Sequence, residues 1–152
     1  MIEQRQLNLH QAGTVRVVRQ SAALCYRVQR GTPQVLLITT RGSGRWIIPK
    51  GNLIEGLSPS GTASQEAWEE AGVTGTCTPN AFGQFLHYKR RYKKGSAVYL
   101  VDVYPLVVKS LAARYPEWQE RKRRWFSLGH AASRVNSPDL ASLLRNVEHL
   151  YH

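Results

Sequence analysis

Three glutamates in the run Gln65-Glu66-Ala67-Trp68-Glu69-Glu70 are the residues of this sequence best spaced for chemistry. On a helix, at about 100° per residue, Glu69 falls about 60° from Glu66 on one side and Glu70 about 40° on the other, so the three carboxylates share a face. Neighbours three or four apart stand about 5–6 Å from one another at Cβ. Two like charges at about 5 Å repel by roughly 3 kcal/mol at an effective dielectric near 20. Such a group asks for a positive guest, and oxygen donors alone select a hard cation, Mg²⁺ or Mn²⁺. The plainer alternative is an acidic helix face bathed in solvent. The loop before the helix argues against it. Pro49-Lys50-Gly51 puts a glycine where backbone can approach an ion or ligand closely, beside a lysine suited to a polyphosphate.

The elements that must position these residues are legible around them. Ser58-Pro59 is a helix start, with serine as cap and proline at the first helical position. The helix runs to Ala71 and stops at Gly72. Ala63, Ala67 and Ala71 form a small-residue stripe that allows close packing on a sheet, and Trp68 lies on the side away from the carboxylates. Before the helix, Val15 to Val28 reads as one or two strands, Val35 to Thr40 as a short apolar strand, and Arg45 to Ile48 as another stopped by Pro49, with Lys50 to Leu57 as loop. After it, Thr76 to Tyr88 and Ala97 to Val108 are strand-like and joined by the basic turn Lys89 to Gly95. Arg121 to Ser127 ends in an apolar strand, and Leu128 to Val135 and Pro138 to Leu150 read as helices, with Ser137-Pro138 repeating the cap. This mixture implies an α/β or α+β layer sandwich without a regular βαβ repeat. With roughly 100–200 residues to a domain, residues 1–14 read as a loose lead-in and 15–152 as one domain.

The stretch Gly51 to Val73 resembles the Nudix box, G-x5-E-x7-R-E-U-x-E-E-x-G-U with U aliphatic. Gly51, Glu66, Glu69, Glu70, Gly72 and Val73 match, and Ala67 is a small residue at the first U. Leu57 stands where the first Glu belongs and Gln65 where the Arg belongs. Outside the box, Ser21 to Arg27, the strand VLLITT with Arg41, Arg45 to Gly51, Glu69 to Gly75 and Arg121 to Leu128 are similar to segments of the diphosphoinositol polyphosphate phosphohydrolase branch, so the likeness runs from about Val15 to Val147. The resemblance implies an α/β/α sandwich around a mixed sheet and metal-assisted hydrolysis of a diphosphate bond. It implies that Glu66 and Glu70 hold Mg²⁺ (or Mn²⁺) with the Gly51 carbonyl, and that Glu69 orients or deprotonates the attacking water. Arg41, Arg45, Lys50 and Lys122 take the places of substrate-phosphate contacts. In the family the missing Arg pairs with box carboxylates and holds them in register. Glu55 is two residues out of step to replace the missing Glu.

Charge extends the argument to the substrate. Lys and Arg number 21 against 10 Asp and Glu, a net charge of +11, which attracts polyanions. Lys89-Arg90-Arg91-Tyr92-Lys93-Lys94 is either a solvated hairpin tip or a lip over the active site, and Arg121-Lys122-Arg123-Arg124 is a second cluster. Arg16 and Arg19 differ in strand parity, so one of them could reach the same cleft. Tyr88, Tyr92, Trp46, Trp118 and Trp125 could stack on bases or serve as core and rim. His87 and His130 lack metal-ligand spacing, and Cys25 and Cys77 lack zinc or redox spacing, so they read as buried reduced thiols. No run of about 18 apolar residues and no apolar leader are present, which predicts a cytoplasmic protein off the membrane. The expected function is pyrophosphohydrolysis of small anionic polyphosphates, either diphosphoinositol polyphosphates or dinucleoside polyphosphates, by a monomer or dimer. Two other readings stay open: a nucleic-acid-binding or RNA-end-processing protein, and a degenerate box that senses polyphosphate without turnover.

Overall fold

The computed structural model describes residues 15–91 and 95–151. The lead-in and the centre of the basic turn lie outside the described residues. The elements in chain order are β1 (Val15–Gln29), β2 (Thr32–Thr39), β3 (Trp46–Ile47), β4 (Lys50–Asn52), α1 (Pro59–Ala71), β5 (Val73–Cys77), β6 (Gly83–Arg91), β7 (Gly95–Leu111), β8 (Arg123–Ser127), α2 (Leu128–Arg134), α3 (Pro138–Arg145) and a 3₁₀ turn Val147–Leu150. The main strand order is β3-β2-β1-β7-β5, with β4 also paired to β1, β6 to β7 and β8 to β2. β1 and β7 run parallel, from Val15 opposite Ser96 to Tyr26 opposite Val107, while the other described pairs are antiparallel. The sheet is therefore mixed.

Side chains alternate across a strand, and β1 is buried on both faces. Ala22, Leu24 and Tyr26 enter one core with Val35, Leu37 and Phe126, closed by Ala131, Ala132, Leu140 and Leu144 of α2 and α3. Ala23 and Cys25 enter the other with Leu36, Ile38 and Leu106, closed by Ala63, Ala67 and Ala71 of α1. Two helical layers thus sandwich the sheet. The three alanines are fully buried, so the small-residue stripe is what seats α1 close to the strands. Among the described residues no helix is long and apolar enough to cross a membrane.

α1 has the expected bounds. The Ser58 side chain accepts from the Gly61 N–H at 3.0 Å. Gly72 ends the helix at φ 67°, and a Cβ there would run into the Tyr115 ring. Elsewhere the boundaries differ for physical reasons. Val15–Gln29 is one unbroken strand because β7 pairs it along most of its length. Lys50–Asn52, expected as loop, is a strand because Gln20, Ser21 and Ala22 offer it a ladder across Pro49. Thr76 to Tyr88 is two strands, β5 and β6, which lie on β7 at different places and are separated by residues 78–82. The last helix breaks after Arg145, where the Asn146 N–H turns back to Leu143 and Leu144. The thiols are free, Cys25 buried and Cys77 partly so.

Candidate active site

Pairing of β4 with β1 sets Gly51 directly opposite Ser21, beneath α1. The carboxyl group of Glu66 rests on Gly51 so closely that a Cβ at that position would overlap it. Glycine is needed here for the close approach, not for an unusual φ. One helical turn on, Glu70 is buried and hydrogen-bonded to Glu66 through its side chain. Its Oε1 accepts the Lys50 N–H at 3.2 Å, and its Oε2 lies 3.8 Å from Arg121 Nη2. Burial, then the hydrogen bond with Glu66, pushes the Glu70 carboxyl up to about 8. Burial also raises Glu66, and the charge of Glu69 adds to the rise. Two carboxyls, one buried and one half-buried, thus meet with Arg121 as a cation 3.8 Å from Glu70.

These groups face a cleft of about 810 Å³ whose wall includes Arg41, Arg45, Lys50, Gly51, Glu66, Glu70, His87, Lys89, Glu117 and Arg121. Lys50 Nζ donates to Gln20 Oε1 at 2.8 Å and sits 5.4 Å from the centre of the Tyr99 ring, and its burial lowers its pKa. His87 is lowered by burial and then by Lys50. Arg41 is tied to Glu120 at 2.9 Å. Residues 112–122 strap across the end of α1: the Ala112 N–H donates to the Gly72 carbonyl at 2.8 Å and the Glu117 N–H to the Glu69 carbonyl at 2.9 Å. That strap delivers Glu117 and Arg121 to the cleft, with Arg121 Nε donating to Glu117 Oε1 at 2.9 Å.

Of the site residues expected from the sequence, Gly51, Glu66, Glu70, Arg41, Arg45 and Lys50 come together around one cleft. Glu69 does not line it; this residue is half-buried and reaches the site as a charge on Glu66. Lys122 is exposed and lines a neighbouring depression of about 380 Å³ with Thr40, Gly42 and Glu120. Arg19 is paired with Asp102 at 2.7 Å and, like Arg16, is not part of the cleft wall. Lys89 lines the cleft, while the side chains of residues 90–94 of the basic turn lie outside the described residues. Sequence reasoning missed Glu117, Arg121 as an anchor, and Gln20. The first two sit in a stretch without periodicity, and the only available signal was the charge alternation of Glu117, Glu120 and Arg121.

The sequence model of the NUDIX domain matches residues 18–147. The chain belongs to the NUDIX family. It is 31% identical over 118 residues to human diphosphoinositol polyphosphate phosphohydrolase 3-beta, and 28% identical over 118 residues to rat diphosphoinositol polyphosphate phosphohydrolase 2. Each match covers 74% of this chain, and respectively 66% and 60% of those proteins, so the likeness spans just under two thirds of their length. Among solved structures the Nudix sandwich is similar to a C. elegans Ap4A hydrolase, with a TM-score of 0.65, 21% identity and coverage of 90% of this chain and 99% of that one. It is also similar to the NUDIX domain of Shewanella oneidensis NrtR, solved with ADP ribose, with a TM-score of 0.64, 17% identity and coverage of 92% of each chain. These two likenesses establish the α/β/α fold.

The donor set around Gly51 fits a divalent ion. The donors are all oxygen: the hydrogen-bonded carboxyls of Glu66 and Glu70, and the backbone of Gly51 against Glu66. Ser21 Oγ, fully buried opposite Gly51, has no hydrogen-bond partner among the described residues. No three His, Cys, Asp or Glu side chains gather into a metal cage among the described residues. Two carboxyls and a backbone oxygen would leave positions on a divalent ion for water and substrate phosphate. The two departures lie away from this pair: Leu57 and Gln65 are both exposed and neither lines the cleft.

Proposed function

We propose that this Nudix protein is a metal-dependent pyrophosphohydrolase that cleaves phosphoanhydride bonds of small, highly phosphorylated molecules. The observation that carries the reading is the pairing of half-buried Glu66, seated on Gly51, with buried Glu70, open to a cleft with Arg41, Arg45, Lys50 and Lys89 on its walls. Glu66, Glu70 and the Gly51 carbonyl would hold Mg²⁺ or Mn²⁺, which when bound neutralises phosphate charge and lowers the pKa of water. The rest falls to the chain. Arg41, Arg45 and Lys50 orient the diphosphate. Lys50, its pKa lowered by burial with Glu70 opposing the shift, and hydrogen-bonded to Gln20, is the most constrained of them. Glu69 stands outside the cleft wall but its charge reaches Glu66, and the family resemblance assigns it the proton of the attacking water. Glu117 is engaged by Arg121 and belongs to the frame.

The substrates supported best are diphosphoinositol polyphosphates, which the human and rat relatives are named for, and dinucleoside polyphosphates, the class to which Ap4A belongs. Both present adjacent phosphates to a cationic cleft. The test is a panel of diphosphoinositol polyphosphates and diadenosine tetra- and hexaphosphate, each with and without Mg²⁺ or Mn²⁺. Cleavage of at least one, dependent on the ion, is expected. Glu69→Gln should lower kcat by about a hundredfold or more, the usual worth of a general base. Ion-independent cleavage, or none from any member of the panel, overturns the proposal. The polyphosphate-sensing reading has less support, because Leu57 and Gln65 lie outside the cleft wall while the Glu66–Glu70 pair is intact.

A further inference from the structure

Position 65 carries Gln, and no other residue of α1 is basic, so the helix has no cation of its own to set against its three glutamates. The strap supplies one. The Arg121 side chain is 10% exposed and its guanidinium is held on two sides, with Nε to Glu117 Oε1 at 2.9 Å and Nη1 to the Thr39 carbonyl at 3.2 Å. Glu117 is in turn fixed by its own N–H to the Glu69 carbonyl. The remaining nitrogen, Nη2, faces Glu70 Oε2 at 3.8 Å. That separation is too long for a hydrogen bond yet close enough for charge to act. Glu70 is therefore steadied electrostatically without a hydrogen bond from Arg121 occupying that oxygen. On its other oxygen the Lys50 N–H fixes the rotation of the carboxylate.

We propose that Arg121 is a positioning residue that keeps the Glu70 carboxylate in register for the divalent ion, doing from the strap what no residue of the helix can do. This rests on the metal-dependent reading above. A guanidinium is required because its planar fork meets two acceptors, Glu117 and the Thr39 carbonyl, while turning a third nitrogen toward Glu70, which an ammonium cannot span.

The test titrates Mn²⁺ into the full chain and follows the free ion by electron paramagnetic resonance. It also measures kcat and KM on whichever panel substrate the wild type cleaves fastest. Arg121→Gln should weaken Mn²⁺ binding at least fivefold and lower kcat at least tenfold, with KM changed less than threefold. Arg121→Lys should fall between the variant and the wild type. Lys109→Gln, which removes one exposed charge far from the cleft, should change both readouts less than twofold. Mn²⁺ binding weakened less than fivefold in Arg121→Gln overturns the proposal, and so does a loss carried by KM with kcat intact, which would make Arg121 a phosphate contact. If circular dichroism shows that Arg121→Gln does not fold, Arg121→Lys decides, and wild-type Mn²⁺ affinity there overturns it. A wild type that binds no Mn²⁺ overturns the metal reading and this proposal together, whereas a binding wild type with an equally competent variant removes only the role of Arg121.

Discussion

Without a cation, Glu66 and Glu70 relieve their repulsion by sharing a proton, and that arrangement makes stability depend on pH. The folded chain holds the Glu70 proton up to about 8, against an ordinary value of 4.5. A group that binds its proton more tightly when folded stabilises fully below its unfolded value, and the contribution is lost as pH rises through the folded one. At about 1.4 kcal/mol per unit, the upper bound is on the order of 4–5 kcal/mol. His87 acts in the opposite sense, because its lowered pKa makes the folded chain more stable as pH rises through the histidine range. Comparison with Glu70→Gln removes that background. Urea denaturation in EDTA should show the wild type losing stability relative to Glu70→Gln between about pH 5 and pH 8, and Mg²⁺ should restore it most at the upper end. A pH-independent difference would show that the pair does not share a proton. The spacing of Glu66 and Glu70 and the need for Gly51 were legible in the sequence, because helix period and glycine chemistry are local. Gln20 and Arg121 were not, because their roles arise from pairing and strapping across 30 and 51 residues to Lys50 and Glu70.

At the scale of elements, the position of α1 decides where the carboxylates stand. The fully buried Ala63, Ala67 and Ala71 let the helix approach β1 and its neighbours without an intervening layer of side chains. Ala67 lies next to Glu66, so enlarging it pushes on the metal pair as well as on the core. Ala67→Leu should cost about 1–3 kcal/mol of stability by overpacking, measured by urea denaturation, and should weaken Mn²⁺ binding in step. Full stability and affinity would mean that the seat of α1 is loose enough to absorb three extra carbons. The helix bounds themselves were readable, since Ser58-Pro59 and Gly72 are local signals that the structure obeys. The strands were readable in kind but not in extent. β4 exists only because β1 accepts it, and the division of β5 from β6 follows from where each lands on β7, not from its own composition.

At the scale of the whole molecule, the net charge of +11 exceeds anything the cleft itself can hold, since Glu66, Glu70 and Glu117 face the same space as Arg41, Arg45, Lys50 and Lys89. The surplus is spread over the surface, at exposed positions such as Arg16, Lys109, Lys122 and Arg145. Spread charge of that kind steers an anion toward the protein more than it grips one, and steering is screened beyond about 8 Å at physiological salt. For a small polyphosphate, kcat/KM should therefore fall severalfold between about 50 and 200 mM salt while kcat stays constant, because steering acts on encounter and kcat is set after the complex has formed. Nucleic acid responds differently. Binding to single-stranded RNA loses affinity with a logarithmic slope of about −0.7 for each phosphate neutralised, so a protein gripping six of them loses several hundredfold over the same range. Steady-state kinetics and RNA titrations at the two salt concentrations separate the cases. Salt-sensitive kcat/KM with RNA binding too weak to measure at about 200 mM places the surplus charge in the service of the cleft. Tight RNA binding at that salt, together with no cleavage of any diphosphate, would transfer the basic surface to a nucleic-acid partner and leave the Nudix sandwich as its scaffold.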